Sequence, residues 1–299
     1  MKRFLTVTNL LFVILLVTVC IPGNKEVETA TAFLVVILMV QGYYIYRLIR
    51  KTEVRMVSDI IFVVYSLLFI WELLTTKLGV AHKILVPGPE DVFHVFVTQR
   101  KLMITGLFSS LQLLIIGFAF ALTFGVGLGL IVGWIPRLRK MFFPIAKVIS
   151  PIPPVIYTPY VVALMPTFRS ASALVITLGI FWPTFMGTIN RVGGIEPRIL
   201  DSARVLHVGT GRMITKILLP YVLPSVISGL HVSLSTSFMI LTIAEMMGAS
   251  SGLGYFIKNF SDYANYTNVV AGIIMVGIVV TMLNQFINFL EKHCIRWRT

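Results

Sequence analysis

The most organised group of polar side chains lies between Glu196 and Pro220, in a segment that separates two strongly apolar ones. Apolar residues recur at helical spacing on both sides of the stretch 207–211, whose sequence is His-Val-Gly-Thr-Gly. This pattern predicts a helix, a tight turn and a second helix. Asp201 precedes the small residues Ser202 and Ala203, which leave room for another surface to approach closely. The chemistry that this segment suits is docking, not catalysis.

A second group of polar side chains lies within the apolar segment 219–243. Its members share one helical face and are Ser228, His231, Ser235 and Thr242. Polar residues at membrane depth often line a substrate route, but hydroxyl and small side chains also join neighbouring helices. The sequence leaves both interpretations open. Glu245 ends this segment and is a further candidate for the substrate route, and the glycines that follow it favour a folded turn over a simple continuation of the helix.

Residues 142–165 form an apolar segment that prolines interrupt at positions 151, 153, 154 and 159. Proline removes a backbone donor and breaks the helical hydrogen-bond ladder. Carbonyl groups that are freed in this way inside a membrane must face protein or water. We therefore predict an irregular helix that lines a pathway at Pro153 and Pro154. A kink that packing accommodates is the alternative.

Motifs for catalysis and for nucleotide or metal binding are absent from the sequence. It has no Gly-x-x-x-x-Gly-Lys-Ser/Thr loop to hold ATP phosphates, no His-Glu-x-x-His pair and no Gly-x-Ser-x-Gly nucleophile. Cys20 and Cys294 lie at opposite ends of the chain, without the spacing of zinc ligands or of a disulfide framework. The sequence thus predicts no catalytic residues, no metal and no cofactor held by this chain.

The composition indicates a membrane protein. Of the 299 residues, 57% are hydrophobic and 12% are charged, which is too little charge to cover a soluble globule of this size. The formal net charge of +13 comes from basic residues in short runs beside apolar segments, which indicates membrane orientation rather than nucleic-acid binding. We predict an all-α polytopic membrane protein with about eight transmembrane helices. Both termini are expected in the cytoplasm, since most Lys and Arg residues then lie inside.

Individual spans can be assigned from the apolar segments. Residues 1–22 lack a small-x-small cleavage site, so they are predicted to be an uncleaved first span. The second span covers 31–49, and a basic turn leads to the third at about 60–74. Residues 101–134 are longer than one span requires and carry glycines at every fourth position, 125, 129 and 133. This spacing predicts close helix packing in lipid.

The segment from 196 to 220 resembles the cytoplasmic loop of permease subunits of binding-protein-dependent ABC importers. The family pattern is Glu-Ala-Ala, three residues, Gly, nine residues, Ile-x-Leu-Pro. Here Asp201-Ser202-Ala203 stands for Glu-Ala-Ala, and Ile217-Leu218-Leu219-Pro220 ends the motif at the expected distance. The family's glycine falls on His207, which adopts a positive φ less readily than glycine. Because Gly209 and Gly211 follow, the turn is expected to be displaced by two residues.

Further matches resemble the nitrate, sulfonate and taurine branch of that family. They are Val86-Pro87-Gly88-Pro89, Pro151-Ile152-Pro153-Pro154 and the stretch from Ala244 to Gly254. The resemblance implies a permease core of six helices in residues 57–299, with the coupling loop at 191–218. Residues 1–56 are then two added N-terminal helices.

The resemblance also implies the partners. They are a cytoplasmic ABC ATPase that binds ATP, an extracytoplasmic substrate-binding protein, a second permease in a homodimer or similar pair, and membrane lipid. The coupling-loop residues would be Asp201, Ser202, Ala203, His207, Gly209, Gly211 and Pro220, with Ala203 expected at the contact with the ATPase. The solute would resemble nitrate, a sulfonate, taurine or a vitamin precursor. The alternative is a stand-alone ion-coupled carrier, which would need coupling-ion residues and usually an internal repeat; neither is evident.

Overall fold

The computed structural model of the chain describes residues 7–23, 29–50, 54–82 and 84–294, and all regular secondary structure in these ranges is helical. Six of the described helices are long and apolar enough to cross a membrane, and one bent pair of helices adds a seventh candidate span. A shorter apolar helix of 14 residues, Val7–Cys20, precedes them. The predicted all-α class is confirmed, and these apolar segments agree with the prediction of about eight helices.

The helices follow one another in the order α1 Val7–Cys20, α2 Thr31–Arg50, α3 Val54–Glu72, α4 Pro89–Thr98, α5 Arg100–Trp134, α6 Pro136–Ile149, α7 Pro154–Leu164, α8 Phe168–Gly193, α9 Pro197–Val205, α10 Thr210–Arg212, α11 Leu219–Ser228, α12 Leu230–Gly248, α13 Leu253–Asp262 and α14 Tyr266–Cys294. A π-helical turn, Leu73–Lys77, extends α3, and another, Met213–Leu218, joins α10 to α11. The predicted segment 219–243 is thus divided at Gly229 between α11 and α12.

The first predicted span is shorter in the structure than a hydrocarbon core is thick. At a rise of about 1.5 Å per residue, α1 extends roughly 21 Å, whereas a bilayer core measures about 30 Å. Residues 1–6 of that predicted span lie outside the described residues. The second and third predicted spans are present as α2 and α3, and α3 begins earlier than predicted, at Val54.

The chain divides into two compact units, of which unit 1 comprises residues 1–104 and 256–274. Hydrogen bonds between side chains join its first three helices. The buried Tyr65 hydroxyl of α3 donates to Gln41 Oε1 of α2 at 3.0 Å, and Gln41 Nε2 donates to Asn9 Oδ1 of α1 at 2.9 Å. Because an unpaired buried polar group is costly, this chain of bonds holds the short helix α1 against its two neighbours.

Unit 2 comprises residues 105–255 and 275–299, and its longest helices approach each other along a line of glycines. A Cβ added to Gly129 of α5 would lie 2.6 Å from Thr188 Cβ of α8. Gly125 and Gly133 bring α5 similarly close to Thr184 and Val192. The predicted close packing is therefore confirmed, and α8 continues through Pro183 without a break.

The proline-rich segment of unit 2 forms two helices instead of one. The axes of α6 and α7 meet at 97°, and only residues 150–153 separate them. Pro153 has an extended conformation and precedes the first turn of α7, where a proline such as Pro154 needs no backbone donor. The predicted irregular helix is confirmed as a sharp break within a candidate span.

Candidate functional site

The segment with the family-like pattern forms a compact loop between α8 and α11, outside the candidate membrane spans. Pro197 opens α9, which ends at Val205, and α10 begins at Thr210 after a short turn. The predicted order of helix, turn and helix is confirmed. Because α8 continues to Gly193, the loop begins three residues later than the predicted position 191, and from here on the coupling loop is residues 194–218.

His207 occupies the left-handed position at the end of α9, with a φ of +49°. The Val208 N–H donates to the Ala203 carbonyl at 3.0 Å, and the His207 N–H donates to the Arg204 carbonyl at 2.9 Å. These two bonds make a Schellman motif, in which glycine is the usual left-handed residue. The expected displacement of the turn is therefore wrong. Gly209 has a φ of −65° and precedes α10 instead.

Ala203 faces the interior of its own chain. Its exposed fraction is 6%, and it belongs to an apolar cluster with Leu130 of α5, Val192 of α8, Met213 and Leu218. A side chain that is covered by its own chain does not also meet a partner. Ala203 therefore anchors the coupling loop to the rest of unit 2 and leaves no surface of its own for another molecule.

The outer face of α9 carries two exposed apolar side chains that the family-like pattern did not single out. Val205 is 76% exposed and Leu206 is 74% exposed. Asp201 and Ser202 lie on the same exposed side of the loop; Asp201 pairs with Arg204 at 3.0 Å, and Ser202 donates to the Arg198 carbonyl. Spacing alone could not have found this pair, because the adjacent Ile199 and Leu200 of the same helix both pack against the apolar cluster.

Gly209 and Gly211 lie in the second half of the loop, and Pro220 lies just after it. No atom beyond the neighbouring backbone lies within 4 Å of a Cβ added to either glycine. Pro220 is exposed in the first turn of α11. The two glycines thus keep this surface free of side chains, which suits close approach by another molecule.

His207→Gly is expected to stabilise the coupling loop. The left-handed conformation costs a residue with a Cβ about 1 kcal/mol, and glycine avoids this cost. Tryptic cleavage within the loop should slow by up to about fivefold. His207→Val, which adds a branched Cβ, should accelerate the same cleavage. Faster cleavage of the glycine variant than of the native chain would contradict the role assigned to His207.

Most of the polar stripe faces α14 within unit 2. Ser228 Oγ donates to Glu291 Oε1 at 2.9 Å, and His231 Nε2 lies 3.2 Å from Glu291 Oε2. Asn284 Nδ2 donates to Ser235 Oγ at 3.1 Å. The hydrogen bonds from Ser228 and then His231 lower the pKa of the Glu291 carboxyl below its usual range. These contacts join α11 and α12 to α14.

Thr242, the last residue of the stripe, and Glu245, one turn further along α12, have different surroundings. The Thr242 hydroxyl donates to the Phe238 carbonyl of its own helix at 2.8 Å. Glu245 is buried, with an exposed fraction of 1%, and its carboxyl accepts hydrogen bonds from Ser110 Oγ and from the Gly254 N–H. The spacing in the sequence could not distinguish these environments, because all of these residues lie on one helix.

Comparison with known proteins gives the family. A family model described as binding-protein-dependent transport system inner membrane component matches residues 121–298. The match includes the coupling loop, the broken span and the helices that carry the polar stripe.

Several relatives share most of their length with this chain. A putative aliphatic sulfonates transport permease protein of Bacillus subtilis (strain 168) is 30% identical over 234 residues, which cover 77% of this chain and 83% of that protein. The taurine transport system permease protein of Escherichia coli (strain K12) is 25% identical, over 77% of this chain and 86% of its own. A nitrate import permease protein of Leptolyngbya laminosa is 26% identical, over 84% of this chain and 92% of that protein.

Two solved structures have the same fold. A chain of the MetNI methionine ABC transporter, in an inward-facing conformation, matches with a TM-score of 0.58 and 18% identity, over 68% of this chain and 98% of that one. A chain of a bacterial ABC transporter involved in the import of the acidic polysaccharide alginate matches with a TM-score of 0.62 and 15% identity. The match covers 84% of this chain and 96% of that one. The chain thus belongs to the family of binding-protein-dependent transport system inner membrane components, and it is a multi-pass ABC importer permease of the nitrate, sulfonate and taurine branch.

Proposed function

We propose that this permease docks on a cytoplasmic ABC ATPase through its coupling loop. The observation that carries the proposal is the exposed apolar pair Val205 and Leu206, at the end of a helix that the buried Ala203 anchors to its own chain. Exposed apolar side chains outside the membrane spans mark interaction surfaces. Because the loop packs against the helices of its own unit, a displacement of the loop by a bound partner would be transmitted to those helices.

In this proposal the ATPase subunit binds and hydrolyses ATP, and the permease itself has no ATPase site and no cofactor. Its sequence lacks a phosphate-binding loop. No group of three or more His, Cys, Asp or Glu side chains that could hold a metal ion occurs among the described residues. Closure of two ATPase subunits on ATP would move the coupling loops. The pathway would then open toward an extracytoplasmic binding protein that delivers the solute.

The break between α6 and α7 supports a pathway shared with a second permease, which is either another copy or a similar chain. Pro153 is exposed and Pro154 is half-buried, although the break divides a segment of span length. Irregular backbone at membrane depth persists only where protein or water covers it. A partner permease and a water-filled route would cover this break, whereas lipid would not. We therefore place Pro153 and Pro154 beside the route.

The polar stripe is divided between two roles in this proposal. Ser228 is exposed and His231 is half-buried, so these two border the inner end of the route. Ser235 holds α12 against α14 through its bond with Asn284, and the Thr242 hydroxyl bonds within its own helix. The exposed apolar faces of α2 and α3 contact membrane lipid.

The proposed solute is a small anionic or zwitterionic compound of the sulfonate, taurine or nitrate type. This proposal rests on the relatives, whose names give aliphatic sulfonates, taurine and nitrate. A vitamin precursor remains the other class. Selection among these compounds would lie in the binding protein.

Co-purification tests the proposed function. The chain should form a stable complex with the ATPase encoded beside it. In proteoliposomes, with the neighbouring binding protein, the complex should take up radiolabelled taurine only when ATP is present on the ATPase side. Solute uptake by the permease alone, driven by an ion gradient, would contradict the proposal and favour a stand-alone carrier.

We also propose that residues 1–56 are an addition to a permease core at 57–299, and that both termini are cytoplasmic. The family model begins only at residue 121, and the coupling loop and the start of α6 are rich in Arg and Lys, as inner segments are.

Thiol labelling tests the orientation of the chain. In sealed cells that produce single-cysteine variants of the permease, a membrane-impermeant maleimide should react with the exposed Cys20 and leave Cys294 unlabelled. Permeabilising the cells should expose Cys294. Labelling of Cys294 before permeabilisation would contradict a cytoplasmic C-terminus.

A further inference from the structure

Glu245 meets groups from two other helices at the end of α12. Its Oε1 accepts a hydrogen bond from Ser110 Oγ of α5 at 2.7 Å, and its Oε2 accepts one from the Gly254 N–H of α13 at 2.8 Å. Ser110 Oγ in turn accepts the Leu253 N–H at 2.9 Å. Glu245 and Ser110 are both buried, with exposed fractions of 1% and 0%. A carboxyl that its own chain encloses in this way has no surface to offer a passing solute.

The two N–H groups in this arrangement belong to the first turn of α13. The first four N–H groups of a helix have no partner within the helix, and the helix dipole makes that end attractive to a carboxylate. A residue next to the helix usually satisfies them. Here Glu245, nine residues before Gly254, and Ser110, which is distant in sequence, perform the same task from α12 and α5.

Close backbone contacts restrict the same corner. Gly252 has a φ of +136°, and a Cβ at this position would overlap the Glu245 carboxyl. A Cβ on Gly254 would overlap the Thr242 carbonyl oxygen, and one on Gly106 would lie 3.1 Å from the Gly252 carbonyl carbon. Residues 249–254 therefore fit only as a tight corner that lies against α5 and α12. We call these residues the α12–α13 corner.

The α12–α13 corner and the coupling loop lie at opposite ends of two consecutive helices, α11 and α12. The loop leads into α11, α11 leads into α12 across Gly229, and α12 ends at the corner. Because α12 is long enough to span a membrane, a shift of the coupling loop is carried along these helices to the other side. Whether the shift reaches the corner then depends on the contacts that join the corner to α12.

We propose that Glu245 is a positioning residue of the transport cycle, which, together with Ser110, fixes the α12–α13 corner to α12 and α5 so that movement of the coupling loop reaches the outer end of unit 2. The part of this inference that concerns the transport cycle rests on the proposed function. The cap, by which we mean the hydrogen bonds of Glu245 and Ser110 to the first turn of α13, is independent of that function. Without the cap, α12 and the corner would move independently, and ATP binding would no longer change the corner.

Ser110→Ala and Ser237→Ala are a matched pair for the test. Both serines are fully buried in unit 2, but the Ser237 hydroxyl donates to the Ser233 carbonyl of its own helix instead of joining two helices. A reporter thiol is introduced by Ser250→Cys, at an exposed position of the corner, in a chain whose Cys20 and Cys294 are replaced by serine. The reaction rate of this thiol with a water-soluble maleimide is measured on the isolated permease and on its complex with the ATPase, without nucleotide and with ATP plus vanadate.

In the isolated permease, Ser110→Ala should accelerate the thiol reaction about tenfold, and Ser237→Ala should leave it within twofold of the parent. In the parent complex, ATP plus vanadate should change the rate at least threefold, and Ser110→Ala should abolish that change. Glu245→Ala should reproduce both effects if it accumulates in the membrane.

Equal rates for the two serine variants would overturn the cap. A parent complex without an ATP-dependent change, or a Ser110→Ala complex that keeps it, would overturn the role in transport. Failure of the ATPase to bind the parent chain would instead contradict the proposed function, and the rates of the isolated permease would still decide whether the cap exists.

Discussion

Val205→Asp is expected to leave the permease in the membrane and to remove its ATPase partner. Val205 is 76% exposed on the outer face of α9, so the substitution disturbs no packing within the chain. On docking, the new carboxylate would be buried without a partner, which costs about 3 kcal/mol or more and weakens binding roughly a hundredfold. Co-purification and ATP-driven uptake should both be lost at normal membrane abundance. Retention of both would show that the coupling loop does not dock through this face.

Two companion substitutions separate docking from folding. Val80→Asp introduces the same charge at a valine of the same exposure, 76%, outside the coupling loop, and it should keep the ATPase. Ala203→Asp instead places a carboxylate inside the apolar cluster that anchors the loop, so it should lower the abundance and the thermal stability of the permease itself. Loss of the ATPase from the Val80 variant would show that added charge, rather than its location, weakens the complex.

Gly129→Leu should prevent α5 and α8 from packing. A Cβ at Gly129 would already lie 2.6 Å from Thr188 Cβ and 3.1 Å from the Phe185 carbonyl oxygen. A leucine would therefore force the two helices apart, at a cost of about 3 kcal/mol or more, and the midpoint of thermal unfolding in detergent should fall by several degrees. Membrane abundance should fall with it.

Gly127→Leu is the matched control for this substitution. Gly127 lies on the same helix, and a Cβ there has nothing within 4 Å. Leucine is also the better helix former, so this variant should be as stable as the native chain. Equal destabilisation of both variants would show that added bulk anywhere on α5, and not the contact of α5 with α8, causes the loss of stability.

The glycine spacing is an example of what sequence periodicity predicts well. Residues at every fourth position of a helix lie on one face, so Gly125, Gly129 and Gly133 indicated a close helix contact without any knowledge of the partner. The structure adds the identity of the partner, α8, whose Thr188 lies opposite. That pairing depends on how distant segments pack.

The coupling loop shows the limit of a pattern of small residues. The sequence predicted the helix, the turn and the helix because local spacing and turn residues determine them. It did not distinguish the buried face of α9 from the exposed one. Ala203 is covered because α5 and α8 pack on that side, whereas Val205 and Leu206 are exposed. The small side chain of Ala203 makes room for the core of its own chain and not for another molecule.

The sequence by itself determined that this is an all-α membrane protein, because hydrophobic length and charge placement are properties of the chain read in order. It also determined the family, through the loop and its flanking motifs. Only the tertiary structure decided the roles of the individual polar residues. Ser228, His231 and Glu245 share one strip of sequence, but Glu291 holds the first two, and Ser110 and Gly254 hold the third. Hydrogen-bond partners that come from distant helices leave no periodic signal, because periodicity reports a helix's own faces and not what packs against them.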